Sequence, residues 1–167
     1  MSTNTCTDKG VAVDVRSGLV ILVDTREQRP YSAEELGAEV PVQIGTLKAG
    51  DYSIVGAETR VGIERKTLSD YLGSITHGRP RFKIELAKLA QYDFAVVIVE
   101  ANLGDIEDPG LRSRAHPNSL FGTTVAITHD FVPVLWAGDR RRAARLTYRL
   151  LKRFYEKRIL SSGPEAA

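Results

Sequence analysis

The sequence predicts an α/β domain built on a mixed β-sheet, on three observations. Four short stretches of strand-like patterning come first, Leu19–Val23, Val40–Leu47, Tyr52–Val55 and Val61–Arg65, with little helical periodicity between them. Helical patterns and strands then alternate from Thr67 onward, the order expected where helices cover a sheet. Phe94–Val99, FAVVIV, is apolar throughout, as a central strand buried on both faces must be.

Taken in order, residues 1–17 are expected to be a flexible N-terminal tail, with VAVDV at 11–15 a candidate extra strand. Leu19–Val23 is an apolar run of buried-strand length and ends in Asp24-Thr25-Arg26-Glu27. The Arg29–Glu35 region reads as a connection with a helical turn, and Val40–Leu47 as the second strand. Ala49-Gly50-Asp51 is a turn. In Val61–Arg65, Val61 and Ile63 alternate with other residues at period two. Glu64 and Lys66 therefore share one face, and Val61, Ile63 and Arg65 the other.

Thr67 is placed to cap a helix in which Leu68, Tyr71, Leu72 and Ile75 recur at helical spacing. His77-Gly78-Arg79 breaks it, and Pro80 suits the first turn of the next helix, whose stripe is Phe82, Leu86 and Leu89. Ala101–Pro117 is rich in Gly, Pro and charge and reads as a mobile loop. A helix over Asn118–Thr128 and a strand over Phe131–Trp136 follow, Pro133 placing that strand at an edge or terminus. Asp139 caps a final basic helix with an expected apolar stripe of Ala143, Leu146, Leu150 and Phe154. Residues 18–160 thus form one domain, and 161–167 a tail.

Composition narrows the function classes. No apolar run approaches the roughly 18–20 residues of a membrane span, and MSTNTCTDKG is no signal peptide. The single cysteine, Cys6, allows no internal disulfide, so a cytoplasmic setting is expected. Without a Walker-type Gly-Lys-Ser, no nucleotide cofactor is expected. His77, His116 and His129 lack metal-ligand spacing and read as loop or capping residues. The net charge is only +2, yet Asp139–Arg158 holds nine basic residues against two acids, +7 in a chain whose remainder is −5. That asymmetry points to a polyanion, although a solvated helix face explains it equally well.

The chemistry concentrates between Gly50 and Asp70. Asp51 arrives from the turn, and Glu64 and Lys66 share one strand face, a set suited to Mg²⁺ or Mn²⁺, water and a phosphodiester. Mg²⁺ prefers a few carboxylates with water positions left open. An Asp followed after twelve residues by Glu-Arg-Lys is the layout of restriction-endonuclease-like nucleases, though an acid-x-Lys pair also occurs as a surface strand pair. Four motifs in order make the pattern specific: VDTRE at 23–27, GDY at 50–52, ERKTLSD at 64–70 and GSITHGR at 73–79. Together they resemble the nuclease domain of the XPF-type structure-specific endonucleases, over about half the chain, with weaker likeness through Val132–Ala137 and the last helix.

That resemblance implies a restriction-endonuclease-like α/β fold, with a mixed sheet flanked by helices, that cuts branched or flapped DNA with Mg²⁺ or Mn²⁺. It implies Asp51 and Glu64 as metal ligands and Lys66 as the catalytic lysine. Asp24, Arg65 and Asp70 join them in the active site, Asp24 as a further ligand. Arg26 and Glu27 support it, with Arg26 on a phosphate. Arg65, on the opposite face, is suited to pair with an acid such as Asp70. Arg79 matches a phosphate-contacting arginine. Lys83 stands where many relatives carry Gln, suggesting a bacterial or phage branch, and the tandem helix-hairpin-helix module is not seen. With that module missing, Arg142, Arg145 and Arg149 of the last helix are the expected DNA contacts. Leu120, Val125, Ile127, Val134 and Trp136 would serve a homodimer, or else complete the core. The rival functions are a catalytically silent relative that binds DNA or a partner, and a restriction- or repair-type nuclease with another substrate.

Overall fold

The computed structural model describes residues 18–108 and 115–161. The expected tails, save Ser161, and the candidate strand at 11–15 lie outside the described residues. Six strands form one mixed sheet in the order β2-β1-β3-β4-β5-β6. They are β1 (Ile21–Asp24), β2 (Val42–Gly45), β3 (Tyr52–Ile54), β4 (Val61–Lys66), β5 (Phe94–Val99) and β6 (Val134–Trp136). β3 runs antiparallel to its neighbours β1 and β4, whereas the β1–β2, β4–β5 and β5–β6 pairs are parallel. Five α-helices flank it: α1 (Ala33–Leu36), α2 (Leu68–Ile75), α3 (Arg79–Leu89), α4 (Pro117–Asp130) and α5 (Arg140–Phe154).

The alternation of β5 shows how the two layers divide. Val96 and Ile98 pack with Ala143, Ala144, Leu151 and Phe154 of α5, together with Ile21, Val23, Tyr52, Ile54 and Ile63. Ala95, Val97 and Val99 pack with Tyr71, Leu72, Phe82, Leu86, Leu120 and Ile127 of α2, α3 and α4. The basic helix therefore covers one face of the sheet, and α2–α4 cover the other. This strand is buried on both faces, as its uniform apolarity requires.

Several local expectations are refined. The buried stripe of α5 is Ala143, Ala144, Thr147, Leu151 and Phe154. Leu146 and Leu150, expected in it, are only partly buried. The helix thus turns Ala143 and Ala144, both fully buried, toward the sheet. Ala33–Leu36 is a true helical turn, held by a reciprocal cap between Ser32 and Glu35. Within the stretch read as a mobile loop, Leu103–Glu107 forms a 3₁₀ turn anchored by buried Ile106, and the Asn102 amide donates to Asp105 at 2.7 Å. Residues 109–114 lie outside the described residues. Pro133 precedes β6, which is an edge strand.

Of the residues that suggested a homodimer, some lie in the interior and others do not, Val134 and Trp136 being partly buried against the core. Leu120 and Ile127 are buried, and Trp136 meets Tyr71 edge-on with centroids 5.3 Å apart. Val125 and its neighbour Phe121 remain exposed. Among the described residues no helix is long and apolar enough to cross a membrane.

Candidate active site

Backbone geometry brings Asp51 and Glu64 together. Gly50 has φ +81°, and a Cβ there would meet the Ile63 carbonyl oxygen at 3.2 Å. Only glycine turns the chain this way at so close an approach. The turn lets the Asp51 amide donate to the Ile63 carbonyl at 2.8 Å, and the Asp24 amide to the Asp51 carbonyl at 2.8 Å. Pairing of Tyr52 with Ile63 sets Asp51 beside Glu64 on the α2–α3 face.

Glu64 is 3% exposed, and its Oε1 accepts from Lys66 Nζ at 2.7 Å. The other oxygen, Oε2, is buried with no hydrogen-bond partner. Asp51 accepts from the Arg65 backbone amide at 2.7 Å. Lys66 Nζ lies 5.0 Å from the centroid of the Phe82 ring, which walls the site on the α3 side.

The electrostatics follow from this crowding. Burial pushes the Asp51 carboxyl up to about 6, with the Arg65 amide opposing and the Glu27 charge adding to the rise. Burial, then the Asp51 charge, push Glu64 up to about 8 against the pull of Lys66. The Lys66 ammonium is opposed by burial, but Glu64 and Asp51 outweigh that and keep its pKa above the ordinary value. Burial thus disfavours the charge on both carboxylates, while their pull favours the charge on Lys66.

A stability consequence has a definite sign. Both acids have folded pKa values above their unfolded ones, so the fold binds more protons between about pH 4 and pH 8. Stability of the metal-free protein should therefore fall as pH rises through that window. Asp51→Asn keeps an acceptor for the Arg65 amide and removes one charge. It should stabilise the protein in EDTA at pH 8 by roughly 1–2 kcal/mol and flatten the slope. Urea unfolding at pH 5 and pH 8 checks this; a less stable variant at pH 8 contradicts it.

Asp24, expected as a third ligand, is committed elsewhere. Its Oδ1 accepts from the Arg26 amide (2.9 Å) and Nε (2.6 Å), and its Oδ2 from the Leu47 amide (2.7 Å) and Arg26 Nη2 (3.2 Å). Burial alone would raise its pKa, but these bonds outweigh it and hold it below the ordinary value. Among the described residues no group of three His, Cys, Asp or Glu side chains converges as a metal site. Arg26 is correspondingly tied to Asp24, and it also donates to the Leu47 carbonyl at 3.0 Å.

Arg65 points to the opposite face, as strand alternation requires, but its acids are Glu27 (2.9 Å) and Glu100 (3.0 Å) rather than Asp70. Tyr31 donates to Glu100 at 2.9 Å and stacks on Tyr52, whose hydroxyl accepts from the Tyr31 amide. Arg140 joins the network through Glu35 and lies over Tyr31. Glu35, Glu100, Tyr31 and Arg140 had no sequence signal as members of one network, because the contacts that join them run from Tyr31 to Glu100 and from Arg140 to Glu35, 69 and 105 residues apart. Asp70 instead accepts from the Thr67 hydroxyl at 2.7 Å, while its own amide donates to that hydroxyl, Thr67 being the N-cap of α2.

A 410 Å³ hollow opens beside Lys66, lined also by Ser69, Asp70, Ser74, Arg81 and Glu85. Arg79, the expected phosphate contact, lines a different hollow between α3 and α4. Arg81 and Glu85 were missed in sequence; their spacing of four on a helix that follows the Glu-Arg-Lys strand was the available signal. Glu85 feels the charges of this site, contributing to the shifts of Asp51, Glu64 and Lys66. Arg142, Arg145 and Arg149 lie on α5, across the sheet from Lys66, with Arg142 paired to its own cap Asp139 at 3.0 Å.

A model of the ERCC4 domain matches residues 23–150. The 3'-flap repair endonuclease Xpf of Saccharolobus solfataricus is 29% identical over 138 residues, covering 80% of this chain and 55% of that protein. The solved structure of XPF from Aeropyrum pernix superposes with a TM-score of 0.63 at 28% identity, over 80% of this chain and 60% of the other. The chain thus spans a little over half the length of these relatives.

Proposed function

Because the chain belongs to the ERCC4 domain family and carries an XPF-type nuclease domain, we propose that it is a Mg²⁺- or Mn²⁺-dependent endonuclease that cuts branched or flapped DNA. The observation that carries this reading is the buried, partnerless Oε2 of Glu64 beside Asp51 and Lys66. An orphaned carboxylate oxygen in such a place costs free energy unless something satisfies it.

The donor set fits a hard divalent cation. Asp51 and Glu64 would hold it, and two carboxylates with remaining positions for water and phosphate oxygens are what Mg²⁺ accepts. When bound, such an ion lowers the pKa of an attacking water and neutralises charge on the phosphate. It would also offset the Asp51 charge that, after burial, raises Glu64.

The chain's own groups do the positioning. The Arg65 amide fixes one Asp51 oxygen, so the carboxylate keeps its direction before substrate arrives. The Lys66 ammonium is held charged by Glu64. It therefore acts as a donor, orienting water or stabilising the phosphate, rather than as a base. Phe82 excludes solvent on one side of that ammonium. Ser69 and Asp70 at the rim of the hollow are available to a nucleotide beyond the scissile bond.

The test is cleavage of end-labelled single-stranded, duplex, 3'-flap and forked DNA with Mg²⁺, with Mn²⁺ and with EDTA. Cleavage near the branch that needs metal is expected. Binding without cleavage of any substrate would make the protein a silent relative, and cleavage in EDTA would remove the metal-dependent reading.

A further inference from the structure

We infer that one face of α3 is the seat of the DNA strand leaving the active site, with Lys48, Arg81 and Lys88 on its phosphates and Ile84 against an unstacked base. This deepens the nuclease reading and rests on it. Beside the Lys66 hollow lies a second one of 190 Å³, lined by Arg26, Lys48, Arg81, Ile84, Glu85 and Lys88. Arg81 and Glu85 line both. The two hollows are therefore consecutive, one opening on Lys66 and the other continuing along α3.

Helical spacing makes this a single stripe. Arg81, Ile84, Glu85 and Lys88 recur at i, i+3, i+4 and i+7 and span about 10 Å of helix. Arg26 is occupied by Asp24, whereas Lys48, Arg81 and Lys88 form no ion pair among the described residues. Three cations without an ion pair, beside the two acids proposed to hold the metal, are what a polyanionic strand needs. Glu85, within the stripe, keeps it from being uniformly basic.

Ile84 is 62% exposed although it stands between Arg81 and Lys88. A single exposed aliphatic side chain is ordinary on a surface. Set between phosphate-binding cations, it has the position of the apolar wedges that proteins insert at unstacked steps. A branch point offers such a step without the cost of opening a duplex. The basic helix α5 offers no comparable route, because the sheet separates it from Lys66.

The experiment measures binding of a 3'-flap DNA and a linear duplex of equal length by fluorescence anisotropy in EDTA at several salt concentrations. The combined variant Lys48→Gln, Arg81→Gln, Lys88→Gln should lower the slope of log affinity against log salt by about 2 to 3, at about 0.9 per phosphate. The set Arg142→Gln, Arg145→Gln, Arg149→Gln should leave that slope nearly unchanged. Ile84→Ala should keep the slope but reduce the preference for flap over duplex by about tenfold. An unchanged slope in the α3 set, or an equal drop in the α5 set, overturns the seat; an unchanged preference in Ile84→Ala overturns the wedge. Thermal melting confirms that each exposed substitution leaves the protein folded. Because binding is read without metal, failure of cleavage and failure of this surface give different results.

Discussion

Glu64→Gln is expected to reduce metal-supported cleavage by roughly a thousandfold or more while leaving the protein folded. The carboxylate supplies a buried oxygen with no other partner and anchors the Lys66 ammonium at 2.7 Å. The amide keeps the shape but loses the charge that would hold a cation. A loss of about 4 kcal/mol in transition-state stabilisation corresponds to that thousandfold change. Asp51→Asn should fall by a similar factor, and Lys66→Ala should lose rate even at saturating metal. Single-turnover cleavage with excess enzyme is the measurement. Wild-type rates in Glu64→Gln would move the chemistry elsewhere. The expected gain in metal-free stability of Asp51→Asn separates loss of function from loss of fold.

Arg65→Ala should be the most destabilising substitution in the domain, by about 3–5 kcal/mol. Arg65 is the cation between Glu27 and Glu100, all three side chains being less than a tenth exposed. Removing it leaves two buried carboxylates facing each other, with Arg140 only 3.6 Å from one of them as partial relief. Adding Glu27→Gln and Glu100→Gln to the variant should restore much of the loss, since an uncompensated charge costs more than a neutral pair. Urea unfolding at pH 7 reads both. A loss below about 1 kcal/mol for Arg65→Ala would mean that the network does not hold the end of β4.

These two effects differ in how visible they were beforehand. The Glu64–Lys66 relation followed from strand period alone, because residues two apart share a face and need no tertiary information to meet. GDY was equally legible: a glycine in the αL region followed by an acid means a turn that aims a carboxylate. The partner of Arg65 was not. Its face could be assigned but not its acids, and Glu27 and Glu100 reach it from 38 and 35 residues away. Asp24 shows the converse case. A motif acid at a strand end suggested a ligand, but the loop carrying Leu47 and the turn carrying Arg26 had to be placed before its four acceptor bonds could be seen.

By itself the sequence determined the α/β class, the central strand, the helix caps at Thr67 and Asp139, and the shared strand face of Glu64 and Lys66. All of these depend on period, turn chemistry or short spacing, which act within one element and its neighbour. Only the tertiary structure decided which face each helix covers. The nine basic residues of 139–158 were conspicuous as composition, yet α5 packs on the side of the sheet away from Lys66. The sparser cations of α3 lie on the same side as Lys66. Charge is a property of the chain, but the surface it serves is set by the path after β6, which takes α5 to the layer opposite α4, and no local pattern encodes that.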